Sequence, residues 1–151
     1  MSAAWLLYYA MVAAHICGLS YALVFGRAVH RSVAVVIGLD AAIQISICAA
    51  AAYRRVHFDD IEVPIDILDN SLMCIALLAL SLRYKRDNWL IAILLLNTCL
   101  LALDGLVFDG APEASHLYFP SIANLVNILI VSVLIVATRM SRLKGGALRA
   151  G

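Results

Sequence analysis

Five long apolar segments constrain the fold of this chain more than any other feature of its sequence. They occupy residues 3–25, 33–53, 64–82, 89–108 and 119–138. Each has about the 17–25 residues that an α-helix needs to cross the hydrocarbon core of a bilayer. With 64% hydrophobic residues and a mean hydropathy of +0.96, the 151-residue chain has too much apolar surface for a soluble domain. The sequence therefore predicts an all-α integral membrane bundle of five transmembrane helices, forming a single membrane domain over residues 1–151.

The distribution of basic residues predicts how the bundle is oriented. The segments are joined by short links, so we expect neighbouring spans to run antiparallel. With five spans, nine basic residues fall on one side, namely Arg27, Arg31, Arg83, Lys85, Arg86, Arg139, Arg142, Lys144 and Arg149. Only Arg54 and Arg55 fall on the other side. The positive-inside rule then predicts an N-terminus outside, a C-terminus in the cytoplasm and a short basic cytoplasmic tail over 139–151, in a cell inner (plasma) membrane.

The N-terminal residues do not resemble a signal peptide. Residues 1–4 carry no basic side chain, and positive charge follows the apolar run instead of preceding it. We therefore expect the first segment to be a retained span.

Several classes of function find no support in the sequence. The four cysteines lie in separate apolar segments without a CxxC motif, which argues against a redox pair or a zinc ribbon. No glycine-rich phosphate loop, GxSxG or HExxH motif is present. We therefore expect no enzymatic activity, no cofactor and no nucleic-acid partner.

Small residues recur at every fourth position in the first two spans. The rows contain Ala14, Gly18 and Ala22 in the first span, and Gly38, Ala42 and Ser46 in the second. Rows of this kind let two helix backbones approach closely in lipid. The pattern predicts that the first two spans pack as a tight hairpin.

Polar residues inside the last three spans form the first candidate site. They are Asp66, Asp69, Asn70, Asn97, Asp104, Asn124 and Asn127. Counting about 1.5 Å per residue from the cytoplasmic end of each span places most of them at about 17–24 Å, in the outer half of the membrane. The pattern predicts an acidic, amide-lined recess open to the outside. In the alternative interpretation, Asp66 is a first-turn helix residue after Pro64, and the asparagines only bridge helices.

A second polar set lies lower on the same scale. Asp40 and Gln44 share a face of the second span, at about 11 Å for Asp40, and His15 of the first span lies at about 15 Å. These three residues are a candidate intramembrane group for a proton or cation. Alternatively, Asp40 pairs with His15, or burial keeps it uncharged. A bis-histidine haem site is not expected, because His15 is the one histidine in this membrane region.

The two outer loops carry residues that could ligate a metal ion. The first contains His57 with Asp59, Asp60 and Glu62, and the second contains Glu113 and His116 at i, i+3 spacing. Short acidic loops are more often only solvated, so we expect no metal site.

The segment 63–140 resembles small multi-span inner-membrane proteins of alphaproteobacteria. The likeness is carried by Asp66, by the run LLALSLRY at 77–84 and by Trp89. The resemblance implies a membrane location and a helical fold, and it implies no activity.

Two main functional hypotheses follow from the sequence. The favoured one is a non-enzymatic accessory or assembly partner of a membrane complex. The alternative is a small transporter or channel subunit for protons, cations or a polar solute that uses the intramembrane aspartates. An intramembrane enzyme with paired aspartates ranks last. The expected partners are the lipid bilayer and either further copies of the chain or a larger membrane complex.

Overall fold

Five α-helices make up the architecture of the chain over the residues that the structure describes. The computed structural model describes residues 3–54, 62–108 and 113–147. The helices are α1 (Ala3–Phe25), α2 (Ala28–Arg54), α3 (Glu62–Arg83), α4 (Trp89–Phe108) and α5 (Glu113–Ala147). All five are long and apolar enough to span a membrane. The predicted all-α, multi-pass membrane fold is confirmed.

Three helices extend beyond the bounds that hydropathy predicts, α3 by only two residues at its start and one at its end. α2 begins at Ala28, five residues before the predicted start, because the turn from α1 uses only Gly26 and Arg27. α5 continues to Ala147, so residues 139–147 of the predicted tail are helical. Charged residues at a helix end lower the local hydropathy without disfavouring the helix itself. Hydropathy therefore marks the span and not the full helix.

The α1–α2 turn depends on a glycine. A Cβ atom at position 26 would overlap the carbonyl oxygen of Ala22 and would lie 2.7 Å from Cβ of His30. The Gly26 amide continues the α1 hydrogen bonding by donating to that Ala22 carbonyl at 2.9 Å. Only a residue without a side chain fits here.

The core of the bundle is formed by apolar side chains of α2 to α5, with Ala22 contributed by α1. Ile37, Leu77, Ile93 and Leu134 are almost completely buried at its centre. Large apolar side chains elsewhere point outward; Ile45, for example, is 70% exposed. An apolar outer face around an apolar core is typical of a helix bundle solvated by lipid.

The most extensive helix contact joins α1 to α5, and the α1–α2 contact is smaller. At Gly18 an added Cβ would overlap Cγ1 of Val131 and would lie 3.1 Å from Cδ1 of Ile135, both on α5. The small-residue row of α1 therefore packs at Gly18 against α5, and not against α2 as the hairpin prediction had it. The physical reason is that a row of small residues specifies close approach without specifying the partner helix.

The α2 row is used only in part. A Cβ atom added at Gly38 would lie 3.8 Å from Cδ1 of Leu19 on α1, an ordinary van der Waals contact. Further along the helix, Ala42 and Ser46 are exposed on the bundle surface. The remaining members of the predicted set, Ala14 and Ala22, are half-buried and fully buried respectively.

Candidate functional site

A pair of carboxyl groups faces across the α2–α3 interface. Asp40 of α2 interacts directly with Asp69 of α3, and Gln44 of α2 also contacts the Asp69 carboxyl. Asp40 and Gln44 are four residues apart, so they share one helix face. Asp69 is only 4% exposed, and its Oδ2 atom is buried without a hydrogen-bond partner among the described residues. Asp66, one turn earlier on α3, lies close enough to act electrostatically on Asp40.

The next residue of α3 points to the opposite neighbour. Asn70 donates a hydrogen bond from Nδ2 to Oδ2 of Asp104 on α4, at 2.7 Å. Asp104 is 3% exposed, so its carboxyl group meets protein and not lipid. Because Asp69 and Asn70 differ by about 100° around the helix, α3 presents one polar group to α2 and the next to α4.

A second connection between α3 and α4 lies one turn away. Asn97 of α4 is fully buried and donates from Nδ2 to the carbonyl oxygen of Asn70 at 2.9 Å and to Sγ of Cys74 at 3.2 Å. The Cys74 thiol also lies 3.7 Å from Oγ1 of Thr98. These contacts hold the α3–α4 pair in register, because their lengths fix which residues face each other.

The carboxyl groups lie at one height in the bundle. From the helix ends next to the α1–α2 and α3–α4 turns, Asp40 lies at about 18 Å, Asp69 at about 21 Å and Asp104 at about 22 Å. The sequence interpretation put Asp40 in a separate, lower group, and this separation is wrong. It arose because α2 was predicted to start at residue 33, whereas it starts at Ala28. We call the residues Asp40, Gln44, Asp66, Asp69, Asn70 and Asp104 the carboxyl layer.

Three of the predicted polar residues stand apart from the carboxyl layer. His15 donates a hydrogen bond within its own helix, from Nδ1 to the carbonyl oxygen of Met11 at 3.0 Å. The contact considered between His15 and Asp40 is replaced by the contact of Asp40 with Asp69. Asn124 and Asn127 are half-buried on α5, and none of the hydrogen bonds described here joins them to α3 or α4.

The carboxyl layer has the chemistry of a proton or cation site. Two carboxyl groups in direct contact do not both ionise readily, because like charges repel strongly where water is excluded. A proton shared by the pair, or a cation held between its oxygens, relieves this repulsion. Acidic side chains at membrane depth are costly to insert, which makes them candidates for proton and ion pathways.

No group of three or more potential metal ligands forms among the residues that the structure describes. The loop residues considered for a metal lie outside this part: positions 57–60 are not described, and neither are the side chains at 62, 113 and 116. The expectation about a metal site therefore stays a prediction.

Sequence reasoning gave no role to His30, which is 1% exposed near the start of α2. Its ring stacks on Trp89 of α4, with centroids 4.9 Å apart and planes 6° apart. The sequence could have indicated this contact, because both rings lie beside basic interhelical links at the same end of the predicted bundle.

Comparison with known proteins adds no relative. No family model, curated protein or solved structure matches the chain. The fold defines a five-span helical membrane protein.

Proposed function

We propose that this protein is a small transporter or channel subunit that carries protons or a small cation through the Asp40–Asp69 pair. The observation that carries the proposal is the direct contact of two carboxyl groups on different helices, α2 and α3, at membrane depth. A single buried acid can be explained as a tolerated packing residue. Two acids in contact are harder to explain by stability, because a pair of apolar residues would avoid the desolvation cost.

Neighbouring polar groups extend the pair into a short path. Asp66 lies one turn before Asp69 on α3, towards the end of the bundle that carries the α2–α3 connection, and Gln44 contacts Asp69 from α2. The unpartnered Oδ2 of Asp69 leaves an oxygen available as a proton acceptor or cation ligand. Asp104 differs from the pair, because its interaction partner is the Asn70 amide and not a second carboxyl group.

Flux measurements with the purified full chain in liposomes test this proposal. A potassium gradient with valinomycin imposes a membrane potential, and a trapped pH dye or a sodium-sensitive dye reports proton or cation entry. We expect Asp40→Asn and Asp69→Asn to lower the flux at least about tenfold, since each removes a titratable group from the path.

Two control variants give the experiment its specificity. Asp87→Asn removes an acid in the α3–α4 link, outside the layer, and we expect it to retain the wild-type flux. Asp104→Asn replaces this carboxyl with an amide whose oxygen can still accept from Asn70, so it separates the role of the pair from that of the layer as a whole. Wild-type flux in both Asp40→Asn and Asp69→Asn, with normal reconstitution, would remove the basis of the proposal.

The orientation and the membrane belong to the same proposal. Basic residues cluster at the end of the bundle that holds the α1–α2 and α3–α4 turns, which supports a cytoplasmic position for this end in a cell inner membrane. Reporter fusions after Gly26, Arg86 and Arg55 test it. Cytoplasmic signals from the first two and an external signal from the third are expected, and the reverse pattern would contradict the orientation.

A second candidate function is a non-enzymatic accessory or assembly partner of a membrane complex. It is favoured by the exposed part of the small-residue row on α2, where Ala42 and Ser46 face away from the other helices. Such a surface accepts a close helix from another chain or from a second copy. The double variant Ala42→Leu/Ser46→Leu should then lose a stoichiometric partner on purification in mild detergent, whereas Ala79→Leu on exposed α3 surface should retain it. A wild-type chain that purifies alone as a monomer would contradict this candidate.

A further inference from the structure

A cleft lies at the opposite end of the bundle from the acidic loops, and none of its lining residues belongs to the carboxyl layer. It has a volume of about 560 Å³ and lies between the starts of α2 and α4 and the second half of α5. Its rim contains Arg27, Arg86 and Asp87, and its inner part contains His30 and Trp89. A volume of this size is typical of sites for small organic molecules, and it exceeds the volume of a single inorganic ion.

The rim of the cleft carries an excess of positive charge. No described hydrogen bond or ion pair engages the guanidinium group of Arg27 or Arg86. The one rim carboxyl, that of Asp87, already accepts a hydrogen bond from the Trp89 indole at 3.3 Å. α2 and α4 both begin at this rim, at Ala28 and Trp89, so two helix dipoles add their positive ends. The rim therefore favours an anionic group with several acceptor oxygens.

The floor of the cleft contains polar atoms without partners. Nε2 of His30 and Oγ of Ser141 are buried and have no hydrogen-bond partner among the described residues. Nδ1 of His30 accepts from the Arg27 amide at 3.2 Å, so the neutral ring carries its proton on Nε2. The Ala137 carbonyl lies near this ring without hydrogen-bonding geometry to Nε2. Unsatisfied donors beneath a basic rim are typical of a site that is completed by a bound group.

The wall of the cleft is apolar and continues along the membrane. Leu129, Val133, Val136 and Met140 of α5 line it at spacings of four, three and four residues, so they form one stripe of that helix. The stripe is about 16 Å long, close to the roughly 15 Å depth of one leaflet of the hydrocarbon core. A free anion would leave this stripe unused.

We propose that the cleft is a binding site for one anionic phospholipid. The phosphate group lies between Arg27 and Arg86 at the two helix starts, and one acyl chain follows the α5 stripe. The site is distinct from general attraction of basic loops to anionic membranes, because it depends on two particular arginines and on an apolar track.

Native mass spectrometry of the full chain in non-ionic detergent tests the site. Phosphatidylglycerol, phosphatidylcholine and inorganic phosphate are titrated separately. We expect one phosphatidylglycerol to bind per chain, with phosphatidylcholine bound at least about tenfold more weakly and with millimolar phosphate unable to displace the lipid. Equal binding of the two lipids would overturn the anionic selectivity. Displacement by inorganic phosphate alone would assign the site to a free anion and overturn the lipid proposal.

Matched variants separate the site from total charge. Arg27→Gln/Arg86→Gln should weaken phosphatidylglycerol binding about tenfold or more. Arg31→Gln/Lys85→Gln removes the same charge from the same two regions, outside the cleft, and should stay within about twofold of wild type. Equal losses in the two double variants would show unspecific attraction and overturn the site.

A second pair of variants tests the apolar track without changing any charge. Val136→Trp fills the stripe and should displace the lipid, whereas Leu125→Trp on the same helix, outside the cleft, should leave binding unchanged. Circular dichroism shows that each variant is folded before its binding is compared. Wild-type lipid binding in folded Val136→Trp would contradict the assignment of the acyl chain to α5.

Discussion

Asn70 of α3 donates a 2.7 Å hydrogen bond to the buried carboxyl of Asp104 on α4, joining two helices at the height of the Asp40–Asp69 pair. The bond gives Asp104 a structural partner within the protein. Asp69, one residue before Asn70, instead has an oxygen without a partner. Asp104 thus meets the Asn70 amide, whereas Asp69 meets the carboxyl of Asp40 as well as the Gln44 amide, and these two environments give separate predictions.

The Asn70–Asp104 bond should appear as a coupling energy. Asn70→Leu and Asp104→Leu should each lower the free energy of unfolding by about 1–2 kcal/mol, because each leaves a buried polar partner unsatisfied. The double variant should cost less than the sum of the two, by about 0.5–1.5 kcal/mol. Reversible unfolding in mixed micelles, followed by circular dichroism, measures the cycle. Thr98→Val is the control, because the Thr98 hydroxyl donates to Leu94 of its own helix and makes only a weak contact with Cys74 of α3. Strictly additive losses in the Asn70 and Asp104 variants would contradict the coupling.

The Asp40–Asp69 pair should contribute little to stability. Replacing both residues with leucine should leave the free energy of unfolding unchanged or raise it by about 1 kcal/mol, because the apolar pair avoids desolvation of two carboxyl groups. The same double variant should be inactive in the flux assay. A loss of more than about 2 kcal/mol in the unfolding experiment would instead identify the pair as a structural bridge.

The close contact at Gly18 should make this position sensitive to a single methyl group. Gly18→Ala should lower the free energy of unfolding by about 1–3 kcal/mol, since its Cβ would overlap the Val131 side chain. Gly105→Ala is the matched control: nothing lies within 4 Å of that Cβ, and alanine favours a helix by up to about 1 kcal/mol. Adding Val131→Ala to Gly18→Ala should restore part of the loss. Equal effects of the two glycine substitutions would contradict the packing of α1 on α5.

The stacking of His30 on Trp89 should be visible in fluorescence. In a Trp5→Phe background, Trp89 is the sole tryptophan. His30→Ala should expose its indole, shift the emission to longer wavelength and cost about 2–4 kcal/mol in unfolding free energy. His30→Phe retains a stacked ring and should keep the emission near wild type. Unchanged emission in His30→Ala would show that the two rings do not stack.

The number and approximate bounds of the helices could be predicted from the sequence because lipid imposes a length of apolar residues on every span. The α2 start could not, since Arg27, His30 and Arg31 lower hydropathy at a helix end that the Gly26 turn nevertheless allows. Because of this five-residue difference, heights counted in residues from the helix ends placed Asp40 below Asp69.

The partners of the helices were harder to predict than the helices themselves. Periodicity shows which residues share a face, as with Asp66, Asp69 and Asn70, but it does not show which helix each face meets. The small row at Gly18 was therefore assigned to α2 when it packs on α5. The basic cleft was missed because its lining comes from three regions far apart in the chain.

The packing of α1 on α5 has a consequence for how the chain assembles. The most extensive partner of α1 is α5, which is made after the three helices between them, so their contact has to wait until α2, α3 and α4 have been made. Until then the Gly18 surface is open to lipid or to the spans of other proteins. The bundle is therefore completed by α5. In a chain interrupted before α5, the Gly18 surface of α1 stays uncovered in the membrane.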